Sequence, residues 1–267
     1  MITFSATLTC QYDAPFSPFS AADLNSGLAW LKASGFDAAE LCIADYQGID
    51  IARIADALAS HGLGCTTIAS GQARKREGLS LLAQDPEILR RTRQRIFEHI
   101  DAAVVLGSHV TIGSLRVADT GLSATRYCQL LAQGLAPCLD YAHARGVTLI
   151  IEALNRYEAE HLNSAEDMMQ FLDLIGSPPQ VGILWDVFHG NIEDRDITLM
   201  GSRLRHVHFA DSNRAFPGYG HLPFDDIYCQ LRQSHYQGAI SLECLCRPST
   251  QTVINESGPF IQRLRQL

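Results

Sequence analysis

Eight short apolar, β-branched runs recur along the chain, and between them lie stretches with helical periodicity. The runs are Ile2–Leu8, Ala38–Ile43, Gly64–Ser70, His109–Ser114, Thr148–Leu154, Val181–Asp186, Leu204–Asp211 and Ala239–Leu245. Strands that alternate with helices read as a parallel sheet with crossover connections, because each helix carries the chain back to start the next strand in the same direction. Eight such units suffice to close a (β/α)₈ barrel, and 267 residues is near the roughly 250 that such a barrel needs. No linker, repeat or shift in composition interrupts the pattern, so residues 1–267 are expected to form one barrel domain.

Local punctuation supports the count. Asp85-Pro86-Glu87 predicts a helix start, with Asp85 as cap and Pro86 in the first helical position, and that helix should run to about Gly107. Ser20 with Asp23, and Ser164 with Asp167, have the spacing of capping boxes. Gly35, Gly62, Gly107, Gly146, Gly176 and Gly238 stand where helices should stop and turn toward the next strand.

Composition narrows the partners. Hydrophobic residues are 46% and charged residues 19% of the chain, and no apolar run reaches the roughly 18 residues of a membrane span, so no membrane partner is expected and the cytoplasm is the default compartment. A net charge of −8 argues against nucleic acid, whose binding relies on cations that neutralise phosphates. The eight cysteines are scattered without a Cys-x-x-Cys pair and read as reduced, mostly buried thiols.

In a (β/α)₈ barrel the site lies at the C-terminal strand ends. Glu152, Asp186, His208 and Glu243 stand at or near the ends of the fifth to eighth runs, and the segments Thr148–Glu152, Gly182–Asp186, His206–Phe209 and Ile240–Glu243 that carry them contain no Lys or Arg. Buried carboxylates without partners cost several kcal/mol each, so a cation is the simplest partner. Three carboxylates and an imidazole suit one divalent ion such as Mn²⁺, Mg²⁺ or Co²⁺.

Several segments carry a family resemblance. They are Gly71-Gln72-Ala73, Gly78-Leu79-Ser80-Leu81, Ile151-Glu152-Ala153-Leu154-Asn155-Arg156-Tyr157-Glu158, Asp186-Val187-Phe188-His189, His206 through Arg214, and Ser241-Leu242-Glu243-Cys244. Together they resemble the sugar-phosphate isomerase/epimerase family with the xylose-isomerase-like TIM barrel, closest to the ketose 3-epimerases and the 5-keto-L-gluconate epimerases. The resemblance implies that Glu152, Asp186, His208 and Glu243 are metal ligands, that Glu152 and Glu243 are catalytic, and that Glu158, His189 and Arg214 contact substrate. It implies epimerisation or isomerisation of a keto-sugar or keto-sugar acid by proton abstraction beside the carbonyl, through an enediolate, in a chain that assembles as a dimer or tetramer. Val117 after Arg116, and Cys244-Leu245-Cys246-Arg247, depart from the usual pattern beside the pocket.

Two other readings remain. A metal nuclease of the apurinic endonuclease type would need histidines where the third and fourth runs end in Ile68-Ala69-Ser70 and Ile112-Gly113-Ser114. A non-catalytic sugar-binding barrel would not need an intact ligand set. Arg74, Lys75, Arg76 and Arg116, expected on loops after the third and fourth runs, are candidate partners for a substrate carboxylate.

Overall fold

A computed structural model describes residues 2–117, 121–194 and 196–267. Its strands are β1 (Thr3–Thr9), β2 (Ala38–Cys42), β3 (Gly64–Ala69), β4 (His109–Ile112), β5 (Leu149–Ala153), β6 (Val181–Asp186), β7 (Leu204–Phe209) and β8 (Ala239–Leu242). Each pairs in parallel with the next, and β8 returns to β1, closing the barrel. The helices are α1 (Leu24–Ala33), α2 (Ile51–Ser60), α3 (Gly71–Glu77), α4 (Pro86–Leu106), α5 (Ala124–Arg145), α6 (Ala165–Leu174), α7 (Val187–Ile192), α8 (Phe224–Gln233) and α9 (Thr250–Gln266). None of them is long and apolar enough to cross a membrane.

The helices form for reasons visible in their ends and faces. Asp85 caps α4 by accepting from the Glu87 amide, and Gly107 ends it with φ of 62°. Along α4 the buried positions Thr92, Ile96, His99, Ile100 and Ala103 keep the helical period, so one face meets the barrel wall. Ser164 and Asp167 make the reciprocal capping box at the start of α6. The Ser20 box is not made: Ser20 heads a 3-10 turn of only three residues, its hydroxyl donates to the Asp23 carboxylate at 2.9 Å, and the Ala21 amide is taken by Asp13. Gly238 also differs from expectation. Helix α8 ends at Ser234, His235 takes the positive φ of 57°, and Gly238 is needed because a Cβ there would collide with the Arg205 carbonyl and the Tyr236 ring.

The layer inside the barrel is polar. Glu40 on β2 hydrogen-bonds His206 and His208 on β7, and since β2 and β7 are not neighbours, all three side chains must point into the lumen. Ser5, Thr7, Thr67, Thr111 and Ser241 are buried with them, where bulky branched side chains usually fill such a barrel. The apolar core lies outside the strands, where Leu8, Leu41, Ile68, Val110 and Ile151 meet the helices. The eight cysteines are all free thiols, with Cys42, Cys65, Cys138 and Cys244 buried and the other four partly exposed.

Candidate metal and substrate site

Glu152, Asp186, His208 and Glu243 come together at the C-terminal end of the lumen. One ligand atom from each lies within 4.8 Å of all the others. Donors around one ion at ~2.1 Å stand ~3 Å apart when adjacent and ~4.2 Å apart when opposite, so the cluster has the dimensions of a single divalent site.

The backbone explains why each group faces inward. Asp186 ends β6 and caps α7: its Oδ1 accepts from the Phe188 amide at 2.8 Å, which leaves Oδ2 buried without a partner. His208 turns Nε2 toward Glu40, with 3.1 Å to each carboxylate oxygen, while Nδ1 lies 3.2 Å from Glu243 but lacks hydrogen-bond geometry. Glu152 ends β5 inside the lumen, and its carboxylate occupies the space that a side chain at Gly113 would need. Orphaned buried atoms are rare in native proteins, and two of those in this structure, Asp186 Oδ2 and His208 Nδ1, belong to this one cluster.

The electrostatics agree. Burial, helped by the Glu243 and Asp186 charges, pushes the Glu152 carboxyl up to about 8. Burial likewise raises Asp186 to about 7, although His208 and Arg214 oppose it. Burial disfavours a charge on His208, but Glu40 and Glu243 outweigh it and hold His208 well above the ordinary range. Burial also works against a charged Glu40, and the facing His208 and His206 overcome it and hold Glu40 low. Without a cation the site therefore keeps protons on groups that water would ionise, and a divalent ion relieves that cost. The residues fit the ion expected for them.

The residues expected on the substrate side also converge. His189, the third residue of α7, places Nε2 3.6 Å from Glu152 and 3.7 Å from Asp186. Burial, with the Arg214 and His208 charges, holds its pKa well below the ordinary value, so it is neutral. Arg214 donates to Glu158 at 2.8 Å, lies about 5 Å from the rings of Phe16 and Phe188, and keeps Nε buried without a partner. The loop that presents it is tied down by Asp211, whose carboxylate accepts from the amides of Ser212, Gly218 and Leu222. Arg156 grips Glu193 through both guanidinium and backbone, anchoring the segment that carries Glu158 to the end of α7.

A cavity of about 550 Å³ is lined by Glu152, Glu158, His208, Arg214 and Glu243, while Asp186 and His189 are buried and are not among its lining residues. A cavity of about 800 Å³ opens at the opposite face, among strand starts such as Gly64, His109 and Arg205, and none of the four candidate ligands lines it.

Of the four candidate cations for a substrate acid, Arg74 and Lys75 line the cavity, on the short helix α3 and not on a loop. Arg74 donates to the Val117 carbonyl at 2.7 Å, and Arg76 stacks on Tyr12. Arg116 does not reach the cavity. It is fully buried and donates to the Glu152, His161 and Leu162 carbonyls and to the Tyr127 hydroxyl, so it braces the barrel wall behind Glu152.

Sequence reasoning overlooked Glu40, Asn155 and Gly113. An acidic residue inside Ala38-Ala39-Glu40-Leu41-Cys42 was the available signal for Glu40, because strand alternation places it on the face opposite Ala39 and Leu41.

Residues 28–264 match the model of the xylose isomerase-like TIM barrel family. The chain belongs to that family. Within the family, an L-ribulose 3-epimerase of Mesorhizobium japonicum is 30% identical over 229 residues, covering 83% of this chain and 75% of that protein. An L-ribulose 3-epimerase of a Methylomonas species is 27% identical over 236 residues, covering 84% and 79%. In structure, the family fold is matched by a D-psicose 3-epimerase with D-tagatose from Clostridium cellulolyticum, with a TM-score of 0.83, 20% identity and 99% of each chain covered.

Proposed function

We propose that this protein is a divalent-metal-dependent epimerase of keto-sugars, with residues 1–267 acting as one catalytic domain. The observation that carries the reading is the cluster of Glu152, Asp186, His208 and Glu243, three of which line the cavity together with Arg214 and Glu158, while His189 is buried against Glu152 and Asp186. The 3-epimerase relatives support the reaction class.

Inverting a carbon beside a carbonyl requires a proton to leave one face and another to arrive on the opposite face. Glu152 and Glu243 come from strands three apart around the barrel, so a sugar between them presents one face to each. One carboxylate takes the proton and the other, protonated, returns one. Bound at the four ligands, Mn²⁺, Mg²⁺ or Co²⁺ supplies Lewis-acid polarisation of the carbonyl and charge stabilisation. Arg214 and His189 donate to substrate oxygens, and Glu158, paired with Arg214, orients a hydroxyl. At the cavity wall Lys75 supplies a cation for a substrate carboxylate, which favours a keto-sugar acid.

A nuclease reading finds no support, because β3 and β4 lead into Ser70 and Ser114 and not into histidines. The test is a screen of purified protein against ketoses and keto-sugar acids with each of the three ions, read by chromatography of the epimers. Metal-dependent conversion of at least one is expected. No conversion of any, with metal bound in one-to-one ratio, overturns the proposal.

A further inference from the structure

Histidine can present either a lone pair or an N–H, and the partner of the far ring nitrogen decides which. The two histidines of this site have far partners of opposite kinds. Glu40 can only accept, so His208 must carry hydrogen on Nε2, and Nδ1 is the nitrogen that can turn a lone pair to an ion.

His189 is held the other way. The arrangement is anchored by a backbone amide, which can only donate. The Tyr157 N–H donates to Asn155 Oδ1 at 2.9 Å, which fixes the orientation of the Asn155 amide. Nδ2 of Asn155, which can only donate, then faces His189 Nδ1 at 2.7 Å. That nitrogen must accept, because a hydrogen on it would oppose the Asn155 N–H. The ring hydrogen therefore sits on Nε2, the buried atom without a partner that faces Glu152 and Asp186. Asn155 itself is buried, and its carbonyl accepts from the Glu158 and Ala159 amides, so the turn cannot shift independently of the cavity wall.

We propose that Asn155 is a positioning residue that fixes His189 as the Nε2–H tautomer, making it a hydrogen-bond donor to a substrate oxygen and excluding it from the metal's ligand set. The proposal rests on the epimerase reading for the identity of that oxygen, but the tautomer is a property of the protein alone.

The experiment uses nitrogen-15 histidine in the full chain loaded with Mg²⁺ and a long-range proton–nitrogen correlation spectrum, with His189 assigned by its absence in His189→Gln. Wild type should show the His189 hydrogen on Nε2. Asn155→Asp keeps the acceptor for Tyr157 but replaces the donor with a second acceptor, so the hydrogen should move to Nδ1. In that variant kcat/KM should fall by about 10²-fold, the loss typical of one oriented donor, while Mg²⁺ affinity does not fall. A wild-type His189 with hydrogen on Nδ1 overturns the proposal, as does an Asn155→Asp protein with unchanged tautomer or unchanged kcat/KM. If Asn155→Asp does not fold, the wild-type spectrum alone decides. If the tautomer is as stated and no sugar is turned over, the epimerase reading fails and the tautomer assignment stands.

Discussion

Gly113→Ala separates the stability of the barrel from the function of its site. Gly113 follows β4, and a Cβ there would stand less than 3.0 Å from Glu152 Oε2, where carbon and oxygen need ~3.5 Å for normal contact. The φ of Gly113 is −99°, outside the left-handed region, but its ψ of −103° lies away from the α and β regions open to side-chain-bearing residues, so an added Cβ carries a modest backbone cost as well as the clash. Turning the Glu152 carboxylate aside relieves the clash but displaces it by on the order of 1 Å. A misplacement of that size costs about 10²-fold in rate. Gly113→Ala should lower Tm by no more than roughly 2–12 °C, corresponding to the ~1–3 kcal/mol of an unfavourable φ/ψ pair in a chain of this size. Its kcat should drop by about 10²-fold, and Mn²⁺ affinity, read by calorimetry, should weaken with it. Unchanged kcat and affinity would refute the claim that Glu152 works at this position. A collapse of Tm would refute the claim that the clash is relieved within the site.

Three further outcomes follow from the same geometry. Glu40→Gln removes the anion behind His208 and should weaken metal affinity by about 10 to 100-fold, measured by calorimetry, with the fold retained. Because Glu152 titrates near 8, Asp186 near 7 and His208 is raised, ion binding at pH 7 should release protons and affinity should rise as pH increases through about 7 to 8, seen as a heat that varies with the buffer's ionisation enthalpy. Arg116→Met strands three buried carbonyls at ~1 kcal/mol or more each, so Tm should fall by roughly 6–12 °C, whereas Lys75→Met should leave Tm unchanged and raise KM for a keto-sugar acid but not for its neutral counterpart.

Much of this was legible in the sequence because strands and barrel rims impose strict local rules. The eight apolar runs coincide with the eight strands to within two or three residues, and polar residues at the ends of β5 to β8 had to converge once the sheet closed. What escaped depends on distance across the lumen. Arg116 looked like a rim cation because nothing local reveals that three carbonyls more than 35 residues away enclose it. Asn155 lies in a recognisable segment, but its role emerges only when α7 brings His189 to 2.7 Å. Ser20 misled because the capping spacing is necessary and not sufficient: the chain enters α1 through a 3-10 turn, and the Ser20 hydroxyl bonds the Asp23 carboxylate instead of a backbone amide.

Solvent deuterium incorporation tests the central claim most directly. Turnover of an accepted keto-sugar in deuterium oxide should give product with one deuterium at the inverted carbon, in both reaction directions, since Glu152 and Glu243 each exchange with solvent. Glu152→Gln and Glu243→Gln, with metal still bound, should each lower that incorporation by more than the roughly 10² to 10⁴-fold of a general base alone, because under the proposed function each residue is also a ligand. Product free of deuterium, or near wild-type incorporation in both variants, would contradict the account.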